Sequence, residues 1–501
     1  MQQFRAADAL EHCPTHLKYL WIYSNYKLSG PIFKVIANLT SLEHIVAKEN
    51  AFMGIIPDNS FSRMANLTEL DLSSNKLSGI IPQSIFNISS LQILDLSSNH
   101  LQGSIPSYIA FTLPQLQFLS LHHNYLSGPL PISIQNLTNL QIIELSVNNL
   151  IGNVSINFGH LHNLQWLGFR YNNFEGNIDF IITTLVNCTK LEKLHLRGNH
   201  FTGVLPKVLA NLSTSLTTIS IGENPISGAI PIGIGNLINL TYISMVEGQL
   251  TGDIPPELRK LHKMEKLFLY SNRLTGEIPY SFGNLSHLST LSLFDNSLQG
   301  IIPPSLGRCE KLLYLYLDKN NLNGYLPNEL FGGSAKFIHL EMSDNQLEGS
   351  LPVEISEQIN LQTLVISGNK LSGEIPQGLG NLPDLQYLYM DDNLFCGPIP
   401  QTFALLKSLI EIDLSQNNLL GPLPENFSTF PMLIYLNLSC NNFEGKVPTK
   451  GVYGNASAVF LDGNSNLCGG IRELHLPKCL DKKRMSHAVM LTISITSAFL
   501  G

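Results

Sequence analysis

The stretch Leu91-Gln92-Ile93-Leu94-Asp95-Leu96-Ser97-Ser98-Asn99-His100-Leu101-Gln102-Gly103-Ser104-Ile105-Pro106 decides how the rest of the chain is read. In Leu94-Asp95-Leu96-Ser97 apolar and polar residues alternate, which sends the leucines to one face of a strand and Asp95 and Ser97 to solvent. The pattern aligns about 18 times along the chain, with a period inside the repeat range of about 20–50 residues. Asn99 marks the strand end, and its equivalents are Asn25, Asn50, Asn75, Asn124, Asn148, Asn172, Asn199, Asn224, Asn272, Asn296, Asn320, Asn345, Asn369, Asn393, Asn417 and Asn441. Gly248 stands at the one register position without it.

The mean spacing of about 24.5 residues is that of a leucine-rich repeat. The fold expected is therefore an α/β solenoid: a superhelix of about 18 repeats whose short strands stack into a concave parallel sheet. An anchor Asn at each turn can donate and accept at once, so the asparagines predict a hydrogen-bonded ladder along the stack. Gly248 predicts one break in it, as a local irregularity or a bridging water. After each anchor comes Leu-x-Gly-x-Ile-Pro, as in Leu77 to Pro82, Leu250 to Pro255 and Leu371 to Pro376. There Gly suits a tight bend and Pro ends an extended segment before a short helical or 3₁₀ return. Ile151 to Ser155 and Glu175 to Asp179 lack the Pro, so repeats six and seven are expected to be least regular. The widest interval, Asn172 to Asn199, places the largest insertion in repeat eight.

Composition narrows the function. Only 14% of residues are charged, against about 25% ordinarily, and the net charge is −8. That balance carries no basic footprint and argues against nucleic acid. Seven Cys are too few for a disulfide scaffold. The division expected is a segment 1–16 without a recognisable cap, repeats over 17–448, a C-terminal cap over 449–480 and a basic juxtamembrane piece over 481–501. Cys468 and Cys479, beyond the last repeat, can close that cap as a disulfide, whereas Cys13 has no evident partner. No signal-peptide pattern is read in the first 20 residues. The apolar run Ala488 to Gly501 after Lys482, Lys483 and Arg484 reads as the start of a truncated membrane span.

The Leu-x-Gly-x-Ile-Pro form of the repeat resembles that of plant extracellular leucine-rich-repeat receptors. The end of the chain carries a more specific likeness: Gly451-Val452-Tyr453-Gly454-Asn455-Ala456-Ser457, Leu467-Cys468-Gly469-Gly470-Ile471, and Glu473-Leu474-His475-Leu476-Pro477-Lys478-Cys479. It is similar to the cap of the receptor-like Ser/Thr kinase subgroup that includes the bacterial elongation-factor receptor and the rice bacterial-blight resistance receptor. The resemblance implies the ectodomain of a plant immune receptor kinase at the plasma membrane, a single span and a cytoplasmic kinase. It further implies a peptide or protein ligand, microbial ones among them, and recruitment of a co-receptor kinase ectodomain. The family's paired-Cys N-terminal cap is not read here. Nor is a Gly-rich phosphate loop, a His-Arg-Asp loop or an Asp-Phe-Gly, so no catalysis is expected of this chain itself.

A rigid sheet binds through its solvent-facing strand positions, and departures from the default Asp-Leu-Ser filler single out candidates. These are His122, Arg170, Tyr171, His195 and Arg197 in repeats five to eight, together with His123 and Glu144. Phe268, Tyr270, Phe294, Tyr316 and Asp318 follow in repeats eleven to thirteen, and Tyr389 and Asp391 in repeat sixteen. Aromatic and Arg residues are the types enriched at binding hot spots. With strands about 5 Å apart they are expected to form continuous stripes. His122 and His123 are expected to point in opposite directions, and His122 lies about 15 Å from His195 by strand spacing, so neither a metal nor a cofactor is expected.

Twelve Asn-x-Ser/Thr sequons mark candidate glycosylation sites: Asn38, Asn66, Asn87, Asn136, Asn153, Asn187, Asn211, Asn239, Asn284, Asn426, Asn437 and Asn455. Asn437 is unusual in facing the concave side. Two other readings compete with the receptor: a kinase-less receptor-like protein or decoy, and an inhibitor similar to the plant inhibitors of fungal polygalacturonases. The basic-apolar tail argues against the inhibitor.

Overall fold

A computed structural model of the chain describes residues 16–30 and 32–479. Residues 1–15, 31 and 480–501, with Cys13, the basic cluster and the expected membrane span, lie outside them. Among the described residues no helix is long and apolar enough to cross a membrane. The chain packs as two units, Met1–Leu347 and Glu348–Gly501.

In the first unit each repeat contributes one three-residue strand, from Tyr19–Trp21 to His339–Glu341, every strand parallel to the next. Register puts like on like: Leu70 pairs with Leu94, Leu94 with Leu119, Ile143 with Leu167 and Leu167 with Leu194, all fully buried. A second parallel sheet of eleven strands, Asn25–Gly30 through Arg273–Thr275, forms from the Leu-x-Gly segments. Its glycines are needed at their turn, where Gly128 has φ 80° and Gly152 φ 86°. The proline that follows sits near φ −65° ahead of a five-residue 3₁₀ turn, as at Pro131 before Ile132–Asn136.

Ser155 and Asp179 stand at the Pro position in the two repeats that lack it, and there an Asn rather than a Pro caps the return segment, which changes. Asn157 accepts from Gly159 N–H at 3.0 Å and caps the three-residue turn Phe158–His160. Asn177 accepts from Asp179 N–H at 2.9 Å and caps the eight-residue α-helix Ile178–Leu185, which takes up the widest interval between anchors. Burial of Ile178, Ile181, Ile182 and Leu185 holds that helix on the core.

The ladder is built as expected. Asn99 Nδ2 donates to Leu72 O at 3.0 Å in the preceding repeat and to Leu96 O and Ser97 O in its own, while Oδ1 accepts from Leu77 N–H at 2.9 Å. The residue before each anchor is left-handed, with φ from 49° at Glu247 to 58° at Val147 among the non-glycines. At Gly248 the ladder breaks into a local irregularity: Ile226 N–H turns to Asn224 O at 2.7 Å beside a void of about 10 Å³. Gly248→Asn is expected to restore these bonds and raise stability by about 1 kcal/mol. An introduced Cβ lies 2.9 Å from Asn272 Oδ1, so that amide must give slightly. An unchanged or lower melting temperature would show that it cannot.

The second unit repeats the plan, from Thr363–Val365 to Tyr435–Asn437 in one sheet and Lys370–Glu374 to Asn442–Val447 in the other. The cap is itself built on the repeat template. Leu436 pairs with Val459, and Asn464 acts as one more anchor, donating to Leu438 O and Leu461 O at 2.9 Å and accepting from Phe443 N–H at 3.0 Å. Cys468 and Cys479 are bonded, with Cα atoms 4.9 Å apart. Tyr453, fully buried, donates to Pro424 O at 3.1 Å. Cys188 and Cys309 are free and buried, and burial pushes their thiols up to about 12 and about 11, so they pack as small apolar groups.

Candidate ligand-binding surface

The default filler proves to be self-contained. Asp95 Oδ1 accepts both Ser97 N–H at 3.0 Å and Ser97 Oγ–H at 2.6 Å, and Asp71 with Ser73 and Asp413 with Ser415 do the same. These carboxylates close the strand end rather than face solvent as free charges, so the alternation read from Leu94 to Ser97 overstated their exposure. Asp71 and Asp413 are buried.

His122, His123, Glu144, Ser146, Val147, Trp166, Arg170, Tyr171 and His195 line one concavity of about 460 Å³. That volume is in the range of ligand sites, about 300–1,000 Å³. His122 and His123 do not point apart: their rings meet edge to face at 5.3 Å. The strand ends at Ser120, and left-handed His123, at φ 53°, breaks the alternation that would have separated them. His122 and His195 also share the cavity. Among the described residues no group of three His, Cys, Asp or Glu is placed to hold a metal ion.

Electrostatically the cavity has two sides. Burial, reinforced by Arg170 and Lys193, pulls His195 down to about 4, so its imidazole is neutral at pH 7. Burial also lowers His122, opposed there by Glu144 and Asp95. The Lys193 ammonium stands 4.4 Å over the Trp166 ring, and Trp166 meets His195 edge to face at 5.8 Å.

The other candidates fall elsewhere. Arg197 is held by Glu223, Nε to Oε1 at 2.9 Å. Tyr270 stacks on Phe294 at 4.5 Å and 9°, and Phe268 packs on Tyr242 at 5.6 Å. The expected stripe is interrupted between these groups by the buried Ser220 and Ser244. Tyr316 and Asp318 lie with Glu341, and Tyr314 stacks on His339 at 5.4 Å. In the second unit Tyr389 donates to Glu411, and Asp391 accepts from Ser367 Oγ–H at 2.5 Å. Sequence reasoning passed over Trp166, Lys193, Tyr242 and Tyr314, all at the first strand position. Only the later positions had been counted as surface, although an aromatic ahead of the buried Leu or Ile is visible at Trp166, Tyr242 and Tyr314.

Burial, and the Asp318 charge beside it, push Glu341 up to about 7; burial pushes Asp318 to about 6. A carboxylate raised on folding destabilises the native state when ionised. Its penalty is absent below the unfolded value and complete above about 7. Glu341→Gln is therefore expected to be more stable than the parent at pH 8, by about 1 kcal/mol after allowance for partial exposure, and to lose that advantage by about pH 5. Paired urea titrations at the two pH values check this.

Ten of the sequon asparagines are exposed; Asn239 and Asn437 are half-buried. Asn437 Nδ2 donates to Asp413 Oδ2 at 2.9 Å, a bond that a glycan on that nitrogen would have to displace.

Leucine-rich-repeat family profiles match residues 53–101 and 262–322, and a second such profile matches 115–137, 190–212, 360–382 and 408–430. The chain is 48% identical over 84 residues to the LRR receptor-like serine/threonine-protein kinase EFR of Arabidopsis thaliana. It is 42% identical over 90 residues to the receptor kinase-like protein Xa21 of Oryza sativa subsp. japonica. These matches cover 16% and 17% of this chain but only 8% and 9% of those proteins. Among solved structures, the ectodomain of the Arabidopsis receptor kinase HAESA, in complex with the peptide hormone IDA and the co-receptor SERK1, aligns with TM-score 0.81 and 32% identity. The alignment covers 94% of this chain and 77% of that one. A fold of stacked repeats, its anchor ladder and these likenesses together place the chain in the leucine-rich-repeat ectodomain family of plant receptor kinases.

Proposed function

We propose that this chain is the extracellular ligand-sensing region of a plant cell-surface immune receptor kinase, and that it binds a peptide or protein on the exposed side of its strand sheet. The observation that carries this reading is the concavity of about 460 Å³ around Trp166, Arg170 and His195, an aromatic and cationic recess on an otherwise self-paired surface. Trp and Arg are the residues that dominate binding energies when they sit in such recesses. By likeness to the co-receptor complex, ligand and the later repeats together recruit a second, kinase-bearing ectodomain. The immune assignment rests on the EFR and Xa21 likeness.

The test is selection of peptides from a random dodecapeptide library on the whole chain, followed by titration of the retained peptides. A Trp166→Ala/Arg170→Ala double variant is expected to bind them about 100-fold more weakly, as two hot-spot losses imply. Retained peptides that bind the double variant as well as the parent would move the site away from this recess. A library that yields no binder would remove the peptide reading.

A further inference from the structure

In the recess a carboxylate and a guanidinium of opposite charge share one slot without pairing. Glu144 stands where other repeats carry the Asp of the self-paired filler, but it is one methylene longer. Its Oε1 accepts Ser146 N–H at 2.9 Å, while Ser146 Oγ is taken by Arg170 N–H at 3.0 Å. Its carboxylate therefore lies over Gly168, and a Cβ there would come within 2.1 Å of Oε2. Two residues beyond Gly168, Arg170 Nε is buried without a hydrogen-bond partner, as is Trp166 Nε1, while the rest of the guanidinium lies over the Tyr171 ring at 5.5 Å. Among the described residues neither Glu144 nor Arg170 is in an ion pair.

A group entering this slot meets an acceptor on one side and donors on the other. A carboxylate would face Glu144, and an ammonium or guanidinium would face Arg170 and Lys193. The planar group that answers both sides without net charge is an amide, its carbonyl toward Arg170 and its N–H toward Glu144. We propose that the slot between Glu144 and Arg170 recognises a carboxamide of the ligand, from an Asn or Gln side chain or from a main-chain peptide bond. This rests on the reading that the recess binds a peptide.

The same dodecapeptide library, selected in parallel on the parent, Glu144→Gln and Arg170→Gln, tests it. Thermal melts confirm that both variants are folded. The parent is expected to enrich Asn or Gln at one fixed position about tenfold, the scale of one buried hydrogen bond. Glu144→Gln should shift that position toward Asp and Glu, and Arg170→Gln toward Lys and Arg. Should the contact be main-chain, enrichment gives way to a single N-methylation site that abolishes binding to the parent and to Arg170→Gln but weakens binding to Glu144→Gln far less. Acidic or basic enrichment on the parent, or a preference indifferent to both substitutions, overturns the carboxamide assignment while leaving the peptide reading intact. Failure to retain any peptide overturns both.

Discussion

Asn172→Ala is expected to lower the stability of the first unit by about 2–3 kcal/mol. The native amide is 7% exposed and makes four bonds: Nδ2 to Leu145 O, Phe169 O and Arg170 O at 3.0, 3.2 and 3.3 Å, and Oδ1 from Leu150 N–H at 3.1 Å. The carbonyls do not all lose their partners. Asn148 still serves Leu145 O, Asn199 still serves Phe169 O, and Val147 N–H still serves Arg170 O. The loss therefore concentrates on the Leu150 N–H, which the ladder alone satisfies. Relief like that at Gly248, where the equivalent N–H turns to a nearby carbonyl, keeps the cost below that of a fully orphaned group. Urea unfolding followed by Trp166 fluorescence in a Trp21→Phe background reads this directly, because those are the only two tryptophans. A loss under about 0.5 kcal/mol would show that the ladder is ornamental.

Gly168→Ala should separate binding from stability. The backbone at Gly168 is not left-handed, so alanine is conformationally acceptable, and removing a glycine by itself stabilises by about 0.4–1 kcal/mol. The methyl, however, would lie 2.1 to 2.6 Å from three carboxylate atoms of Glu144. The whole carboxylate must swing away and release Ser146 N–H, which offsets the gain. Net stability is expected to stay within about 1 kcal/mol of the parent, while affinity for peptides selected on the parent falls about 30-fold. Calorimetric melting and titration of one retained peptide give both numbers. Unchanged affinity would mean that ligands do not enter the slot.

The repeat, its anchors and its apolar faces were readable because each is local and recurs: a Leu or Ile every second position and an Asn at a fixed spacing. Asn464 escaped that reading because the segment around it was taken as a cap, although Leu461-Asp462-Gly463-Asn464 carries the same pattern. The recess was only half legible. His122, Arg170, Tyr171 and His195 stand out as departures from the filler, whereas Trp166 sits at a strand position not counted as surface. His123 was misplaced because a left-handed residue cannot be inferred from alternation. Glu144 and Gly168 matter only as a pair, one side chain lying in the space the other leaves empty, and such complementarity between neighbouring repeats has no signature in either sequence alone.

The left-handed residue ahead of every anchor bears on how such a chain changes over generations. Ser, Glu, His, Val, Tyr, Asp, Lys, Gln and Cys all occupy it, at φ between 49° and 58°. Most side chains disfavour that conformation, and Val147, β-branched, disfavours it strongly. The flanking ladder imposes it regardless of identity. Across the repeats this column thus carries many different side chains on one backbone conformation. Substitutions there, as at His123, Val147 and Tyr171, change the lining of the recess while the Asn ladder beneath is left in place.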